Sequence, residues 1–139
     1  MPAIFLLDGN SITALTQDNE AAWQHWADLP DEDELLTCFV VIAEWEYGIR
    51  NAKGRKKQQE IREQGELVLN DMSRVIESSL EINLTYGKIA AELRRAGTMI
   101  PQNDMWIAAV ARVIGATVVT HDGHFKHVAN LAVVDWTVP

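Results

Sequence analysis

The sequence predicts an α/β protein with a small parallel sheet of four to five strands, flanked by helices on both faces. Short apolar runs such as 4–7, 117–119 and 132–134 lack the polar alternation of a half-exposed strand, which is typical of buried parallel strands. Segments with helical apolar spacing separate them. With 139 residues, 47% hydrophobic and 23% charged, the chain is expected to form one globular domain over 1–139.

The first half of the chain begins with a buried strand, Ile4-Phe5-Leu6-Leu7. It ends at Asp8-Gly9, which predicts a turn, after which Asn10 or Ser11 is expected to cap a short helix. Three further elements are expected before residue 50: a helix over 19–28, a strand over 35–41 and a helix over 42–49.

The second half continues the alternation of helices and strands. Ile82, Tyr86, Ile89 and Leu93 share one helix face, and Gly97 is a stop signal. The other elements expected here are helices over 58–69 and 103–114 and strands over 75–76, 117–119 and 132–134.

Composition excludes several classes of protein. The net charge of −8 and pI near 4.9 argue against nonspecific coating of nucleic acid. No apolar run approaches the ~20 residues that cross a bilayer, so no membrane association is expected. The first residues lack the basic region and cleavage site of a signal peptide. A lone Cys38 cannot form an intramolecular disulfide, which favours a reducing, cytoplasmic location.

Charges are segregated along the chain. An acidic run at 31–34 is expected to be a surface loop, whereas residues 50–62 carry a basic stripe. Such a stripe can contact the phosphates of a nucleic acid, although a solvated helix face or an acidic partner segment explains it equally well. The candidate nucleic-acid-binding residues are Arg50, Lys53, Arg55, Lys56 and Lys57.

Four acids occupy positions that suggest chemistry. Asp8 and Asp122 each follow a predicted strand, Glu44 lies inside an apolar run, and Asp104 opens a helix. Taken alone, Asp104 fits a first-turn helix acid, and Asp8 and Asp122 fit turn-forming residues. Glu44 is harder to explain in this way, because a carboxylate set in an apolar run is rarely buried without a partner or a metal. If the four converge at the carboxyl ends of the strands, they need cations to stay ionised. Mg²⁺ or Mn²⁺ suits such oxygen ligands, and phosphodiester hydrolysis is the matching chemistry.

The sequence resembles the PIN-domain ribonucleases, most closely the VapC-type toxins of bacterial toxin–antitoxin pairs, over essentially its whole length. Four blocks and the segment Ala90–Gly97 carry the resemblance. The blocks are Leu6-Leu7-Asp8-Gly9-Asn10, Ile42-Ala43-Glu44-Trp45-Glu46-Tyr47-Gly48-Ile49, Ile100-Pro101-Gln102-Asn103-Asp104-Met105-Trp106-Ile107-Ala108-Ala109 and Val119-Thr120-His121-Asp122-Gly123-His124-Phe125.

The resemblance implies a metal-dependent endoribonuclease that cleaves RNA with a metal-activated water. Asp8, Glu44 and Asp104 would be the catalytic acids and the core ligands of Mg²⁺ or Mn²⁺, with Asp122 completing the site directly or through water. Asn10 would help to orient Asp8. The implied partners are an RNA substrate and a cognate antitoxin.

Thr120 is expected to hydrogen-bond one of the acids or a substrate phosphate. A homodimer is also expected. Trp23 and Trp26 are candidates for a dimer or antitoxin surface, although core packing explains them as well.

Two positions depart from the family pattern. Gly9 replaces the hydroxyl residue that usually follows the first Asp, and Val41 stands where Ser or Thr commonly precedes the Glu. Glu46 is a fifth acid, whose spacing from Glu44 on a helix points it elsewhere, so we expect it to be peripheral.

Three other interpretations stay open. The chain could be a catalytically weak PIN-fold partner of an antitoxin in a DNA-binding regulatory complex. It could be a phosphoacceptor domain, although the paired acids and late lysine of that class are not evident. His121, His124 and His127 also allow a zinc site, although a contact with substrate fits one of them better.

Overall fold

A five-stranded parallel sheet forms the centre of the computed structural model, which describes residues 2–139. The strands lie in the order β3-β2-β1-β4-β5, and every neighbouring pair is parallel. The strands are β1 (Ile4–Leu7), β2 (Glu34–Cys38), β3 (Val75–Ile76), β4 (Thr117–Val119) and β5 (Val133–Val134). The predicted parallel sheet is confirmed.

Six α-helices and one 3₁₀ helix connect these strands across residues 2–139. None of them is long and apolar enough to span a membrane. The helices are α1 (Gly9–Thr16), α2 (Glu20–Ala27), α3 (Phe39–Asn51), α4 (Arg55–Asn70), α5 (Leu80–Ala96), α6 (Gln102–Ile114) and the 3₁₀ helix (Gly123–His127). Gly97 ends α5 as predicted, and Gly115 ends α6; both have left-handed backbone conformations.

Two predictions about local structure were wrong. The strand expected over 35–41 ends at Cys38, and residues from Phe39 onward belong to α3. The β-branched run favoured a strand, but Val40 and Val41 pack into the core from a helix. No turn separates Asp8 from α1, because Gly9 is already helical and Asp8, not Asn10 or Ser11, caps the helix.

The strand order reverses between β1 and β4. The chain runs from β1 to β2 and β3 on one side, and then returns to add β4 and β5 on the other. In open parallel sheets this reversal opens a crevice at the carboxyl ends of the two central strands, where ligands commonly bind. Asp8 directly follows β1 and Thr120 directly follows β4, so both lie at this crevice.

Buried hydroxyl groups hold the central strand ends together. The Ser11 hydroxyl donates to the carbonyl of Val119 at 2.7 Å, and the Thr37 hydroxyl donates to the carbonyl of Leu7 at 2.9 Å. The amide of Asp8 also donates to Val119 at 3.2 Å. Because Ser11 and Thr37 are buried, a lost partner would leave an unsatisfied polar group at a cost of about 1–3 kcal/mol.

A close contact between Gly65 and Trp45 sets the distance between α3 and α4. Gly65 is buried, and a Cβ atom there would lie 2.3 Å from the Trp45 ring. Gly87 also lies inside a helix, but a Cβ atom there would meet nothing within 4 Å. Glycine is therefore required by packing at position 65 and not at position 87.

We expect Gly65→Ala to destabilise the protein by about 1–3 kcal/mol, since the methyl group forces Trp45 or α4 to move. Gly87→Ala is the matched control and should stabilise it by about 0.5–1 kcal/mol, because alanine is the better helix former. Urea unfolding of both variants measures the difference. Equal effects would contradict the packing role of Gly65.

Candidate active site

Asp8 is a buried carboxylate at the end of β1 and the N-cap of α1. It is 4% exposed, and its Oδ1 atom accepts a hydrogen bond from the amide of Ser11 at 2.9 Å. Burial raises the pKa of Asp8 above its ordinary value, while hydrogen bonds from Thr120 and Ser11 oppose the increase. The fold therefore fixes the position of this carboxylate before any ligand arrives.

Asp104 and Asp122 lie close together beside the crevice. Asp104 lies in the first turn of α6, and Asp122 caps the 3₁₀ helix by accepting from the amide of His124 at 2.9 Å. The Nδ1 atom of His124 lies 2.9 Å from Asp104 Oδ2 and 2.9 Å from Asp122 Oδ1. These three residues each offer a ligand atom, all within 4.8 Å of one another.

Glu44 joins the group from α3. Its apolar neighbours along the chain suggested that it is buried, but the residue is exposed. It lines surface grooves beside α3, whereas Val41 on the same helix is fully buried in the core. Partial burial of the carboxyl group still raises the pKa of Glu44, as do the charges of Asp104 and Asp8. A hydrogen bond from Asn103 opposes the increase.

The four predicted acids form one group, which we call the acid cluster: Asp8, Glu44, Asp104 and Asp122. Burial is the main cause of the raised pKa of Asp104, and the charges of Asp122 and Asp8 raise it further. A hydrogen bond from His124 acts in the opposite direction. The cluster thus concentrates like charges in a partly desolvated crevice, which a bound cation would relieve.

Thr120 links two members of the cluster. Its buried hydroxyl group is hydrogen-bonded to Asp8 and accepts a bond from the amide of Asp122 at 2.9 Å. Asn10 lines the groove beside Glu44, and its expected role in orienting Asp8 stays a prediction. The structure instead places Ser11 against Asp8. The three-residue spacing of Asp8 and Ser11, typical of a helix cap, could have identified this contact from the sequence.

His124 and Asn103 are further neighbours of the acids that the motif pattern did not assign. His124 follows Asp122 by two residues, so the same turn brings both to Asp104. In the part of the chain described, the group of potential metal ligands contains His124 but neither His121 nor His127. The three histidines therefore do not assemble into a shared site.

The residues of the basic stripe occupy different environments. Glu46, the fifth acid, accepts from Arg62 at 2.7 Å and from Arg50 at 2.7 Å, and these bonds lower its pKa to about 2. Glu46 therefore forms ion pairs with both arginines and lies outside the acid cluster. Lys57 lines a groove of about 590 Å³ whose wall includes Glu44. Of the stripe residues, Lys57 thus lies beside the cluster.

The fold and the site define an α/β protein with a carboxylate cluster at the strand-order reversal. The PIN domain family matches residues 5–131, so the chain belongs to this family. It is 31% identical to Ribonuclease VapC1 of Haemophilus influenzae strain R2866, over 96% of this chain and 98% of that protein.

Two solved structures share the fold over nearly their whole length. VapBC-1 from nontypeable Haemophilus influenzae is similar with a TM-score of 0.84 and 31% identity, covering 96% of this chain and 98% of the other. VapBC2 from Rickettsia felis, solved with a DNA fragment from their promoter, has a TM-score of 0.83 and 25% identity, with the same coverage. The expected PIN fold is confirmed.

We expect Asp104→Asn to stabilise the protein dialysed against EDTA at pH 7. Because the pKa values of Asp8, Glu44 and Asp104 are raised, the folded protein holds protons that the unfolded chain releases. The free energy of unfolding from these groups therefore falls as pH rises above about 4 and through the folded pKa values. Removing one charge reduces this loss.

Thermal unfolding at pH 4 and pH 7 measures the effect, and the gain in stability should shrink at pH 4. The matched control is Glu60→Gln, an exposed acid on α4 outside the acid cluster. A lower stability of Asp104→Asn at pH 7 would show that its carboxylate is a structural partner and not a source of repulsion.

Proposed function

We propose that this protein is a metal-dependent endoribonuclease and the toxin of a toxin–antitoxin pair. The observation that carries the proposal is the convergence of four carboxylates at the strand-order reversal, where burial and then the charges of neighbouring acids raise the pKa values of Glu44 and Asp104. Membership of the PIN domain family and the name of the relative Ribonuclease VapC1 support ribonuclease activity. The enzyme would hydrolyse RNA phosphodiester bonds.

The donor set fits Mg²⁺ or Mn²⁺. Carboxylate oxygens are the ligands that these hard cations prefer, and the raised pKa values indicate a site that gains from added positive charge. Asp8, Glu44 and Asp104 would hold the ion, with Asp122 bound directly or through water. When bound, the ion would neutralise phosphate charge and activate water for attack.

The residues around the acids would keep them in position for this reaction. Thr120 and Ser11 hold Asp8, Asn103 holds Glu44, and His124 lies between Asp104 and Asp122. These contacts restrict the side-chain conformations of the carboxylates, so less conformational entropy is lost when substrate and ion bind.

The first turn of α4 would provide part of the RNA contact. Arg55, Lys56 and Lys57 occupy this turn, which contains no acid. Positive side chains are electrostatically unfavourable at the N-terminus of a helix, where the helix dipole is also positive. Such an unfavourable local arrangement is common at functional sites, and here it would serve to bind an anion. Arg50 already pairs with Glu46, which leaves Lys57 as the cation best placed to hold a phosphate beside Glu44.

An antitoxin is the proposed protein partner, and the similarity to the VapBC structures supports it. The homodimer and the cytoplasmic location stay predictions. Trp23 is 39% exposed and stacks on Trp26 with ring centroids 5.1 Å apart, so this pair is a candidate for the expected protein contact.

The second candidate is a PIN-fold partner that acts mainly in a DNA-binding regulatory complex. The Rickettsia felis VapBC2 structure, which contains promoter DNA, favours it. Four converging carboxylates are not required by a protein that only binds, so nuclease activity explains more of the structure. Metal-dependent cleavage of RNA by the purified protein separates the two candidates.

Glu44→Gln should reduce cleavage of a mixed structured-RNA pool by about a hundredfold or more in Mg²⁺ or Mn²⁺, because it removes one proposed ligand. Glu46→Gln is the matched control, since it lies on the same helix and loses the same charge outside the acid cluster. It should retain activity. An equal loss of cleavage in both variants would show that cleavage depends on the overall charge of α3 and not on the acid cluster.

Lys57→Gln should weaken RNA binding and reduce the salt dependence of the affinity by about 0.7 in log–log slope, the share of one phosphate contact on single-stranded RNA. Lys88→Gln is the control, because Lys88 is an exposed lysine on α5 that does not line the groove beside Glu44. Filter binding in EDTA at several salt concentrations measures both slopes. An unchanged slope for Lys57→Gln would assign this side chain to a solvated helix face.

A further inference from the structure

An aromatic cleft adjoins Glu44, and Lys57 is not among the residues that line it. Its volume is about 540 Å³, and it runs between α3 and the start of α6. Glu44 lines both this cleft and the groove that contains Lys57, so the two depressions meet at the acid cluster. The residues that line the cleft are Phe39, Val40, Ala43, Glu44, Tyr47, Asn103 and Trp106.

The aromatic side chains of the cleft differ in how firmly they are held. Trp106 stacks on Tyr86 with ring centroids 4.0 Å apart at 23°, and Phe39 meets it edge-on at 5.9 Å and 70°. The indole is therefore fixed by two other rings. Tyr47 is 70% exposed, and its hydroxyl accepts one long bond from Asn51 at 3.5 Å. Tyr47 thus offers a large apolar ring to an incoming group.

The charges around the two depressions favour different parts of a nucleotide. Glu44 is the one charged residue among those that line the aromatic cleft, so a phosphate would be repelled there. Lys57, which lines the neighbouring groove, attracts a phosphate. A flat, uncharged aromatic group is the chemistry that the cleft accepts, and unpaired bases stack on such side chains in proteins that bind single-stranded RNA.

We propose that this cleft binds one unpaired nucleobase of the RNA, next to the phosphate that is cleaved, and so sets sequence preference at that position. The proposal rests on the ribonuclease function proposed above. Tyr47 and Trp106 would provide the stacking surface. Asn103, whose side chain donates to Glu44, brings an amide to the same cleft, and amides can read the edge of a base.

The test uses a pool of RNA with a randomised single-stranded stretch and sequences the ends that the purified protein produces. The wild type should show a base preference at one nucleotide adjacent to the cut. Tyr47→Ala should lose most of that preference, because without the ring the base is no longer held where the Asn103 amide can read its edge. Tyr47→Phe should keep the preference, since it keeps the ring.

The control is Leu84→Ala, which removes an exposed apolar side chain on α5 outside the cleft and should leave the preference unchanged. A substrate with an abasic site at the preferred position should be cut poorly by the wild type and about equally poorly by Tyr47→Ala. The same preference in the wild type and in Tyr47→Ala, or no preference in either, would overturn the proposal.

Binding separates failure of the cleft from failure of the proposed function. If the wild type cuts no RNA, the affinity of single-stranded RNA for the EDTA-treated protein is compared between the wild type and Tyr47→Ala. A loss of about tenfold in Tyr47→Ala would still support the base site. An unchanged RNA affinity would overturn it. If Tyr47→Ala then weakened the binding of the antitoxin, the cleft would be assigned to a protein partner.

Discussion

The pairing of β1 with β4 is the constraint on which the rest of the site depends. These strands are far apart in sequence but adjacent in the sheet, with Leu7 opposite Val119. The next residues along the two strands, Asp8 and Thr120, therefore meet, and their side chains are hydrogen-bonded. The reversal of strand order at this pair opens the crevice into which α3 and α6 bring Glu44 and Asp104.

The contacts that build local structure also orient the acids. Asp8 and Asp122 each cap the helix that follows them, so the bond that starts the helix also fixes the carboxylate. This arrangement holds the carboxylates in place although burial raises the pKa values of Asp8, Glu44 and Asp104, and the charges of neighbouring acids raise those of Glu44 and Asp104 further. The fold thus keeps like charges together at a cost in stability, as is common where a protein binds a cation.

The sequence was sufficient to predict the parallel sheet and the convergence of the four acids, since Asp8 and Asp122 follow buried strands and the motifs occur in a recognisable order. It could not give the strand order, because pairing between distant segments leaves no local pattern. It misplaced Phe39–Val41 because β-branched residues favour strands until core packing selects a helix. The exposure of Glu44 was missed for a related reason, since apolar neighbours along the chain need not surround a side chain in space.

Thermal unfolding of the EDTA-treated protein with and without Mg²⁺ or Mn²⁺ tests the cation site most directly. Either ion should raise the unfolding midpoint of the wild type, because binding to the folded state at a hundred times the Kd adds about 2.7 kcal/mol. Neither ion should raise the midpoint of the double variant with Asp8→Asn and Asp104→Asn. An equal response of both proteins, or none in the wild type, would contradict a cation site at the acid cluster.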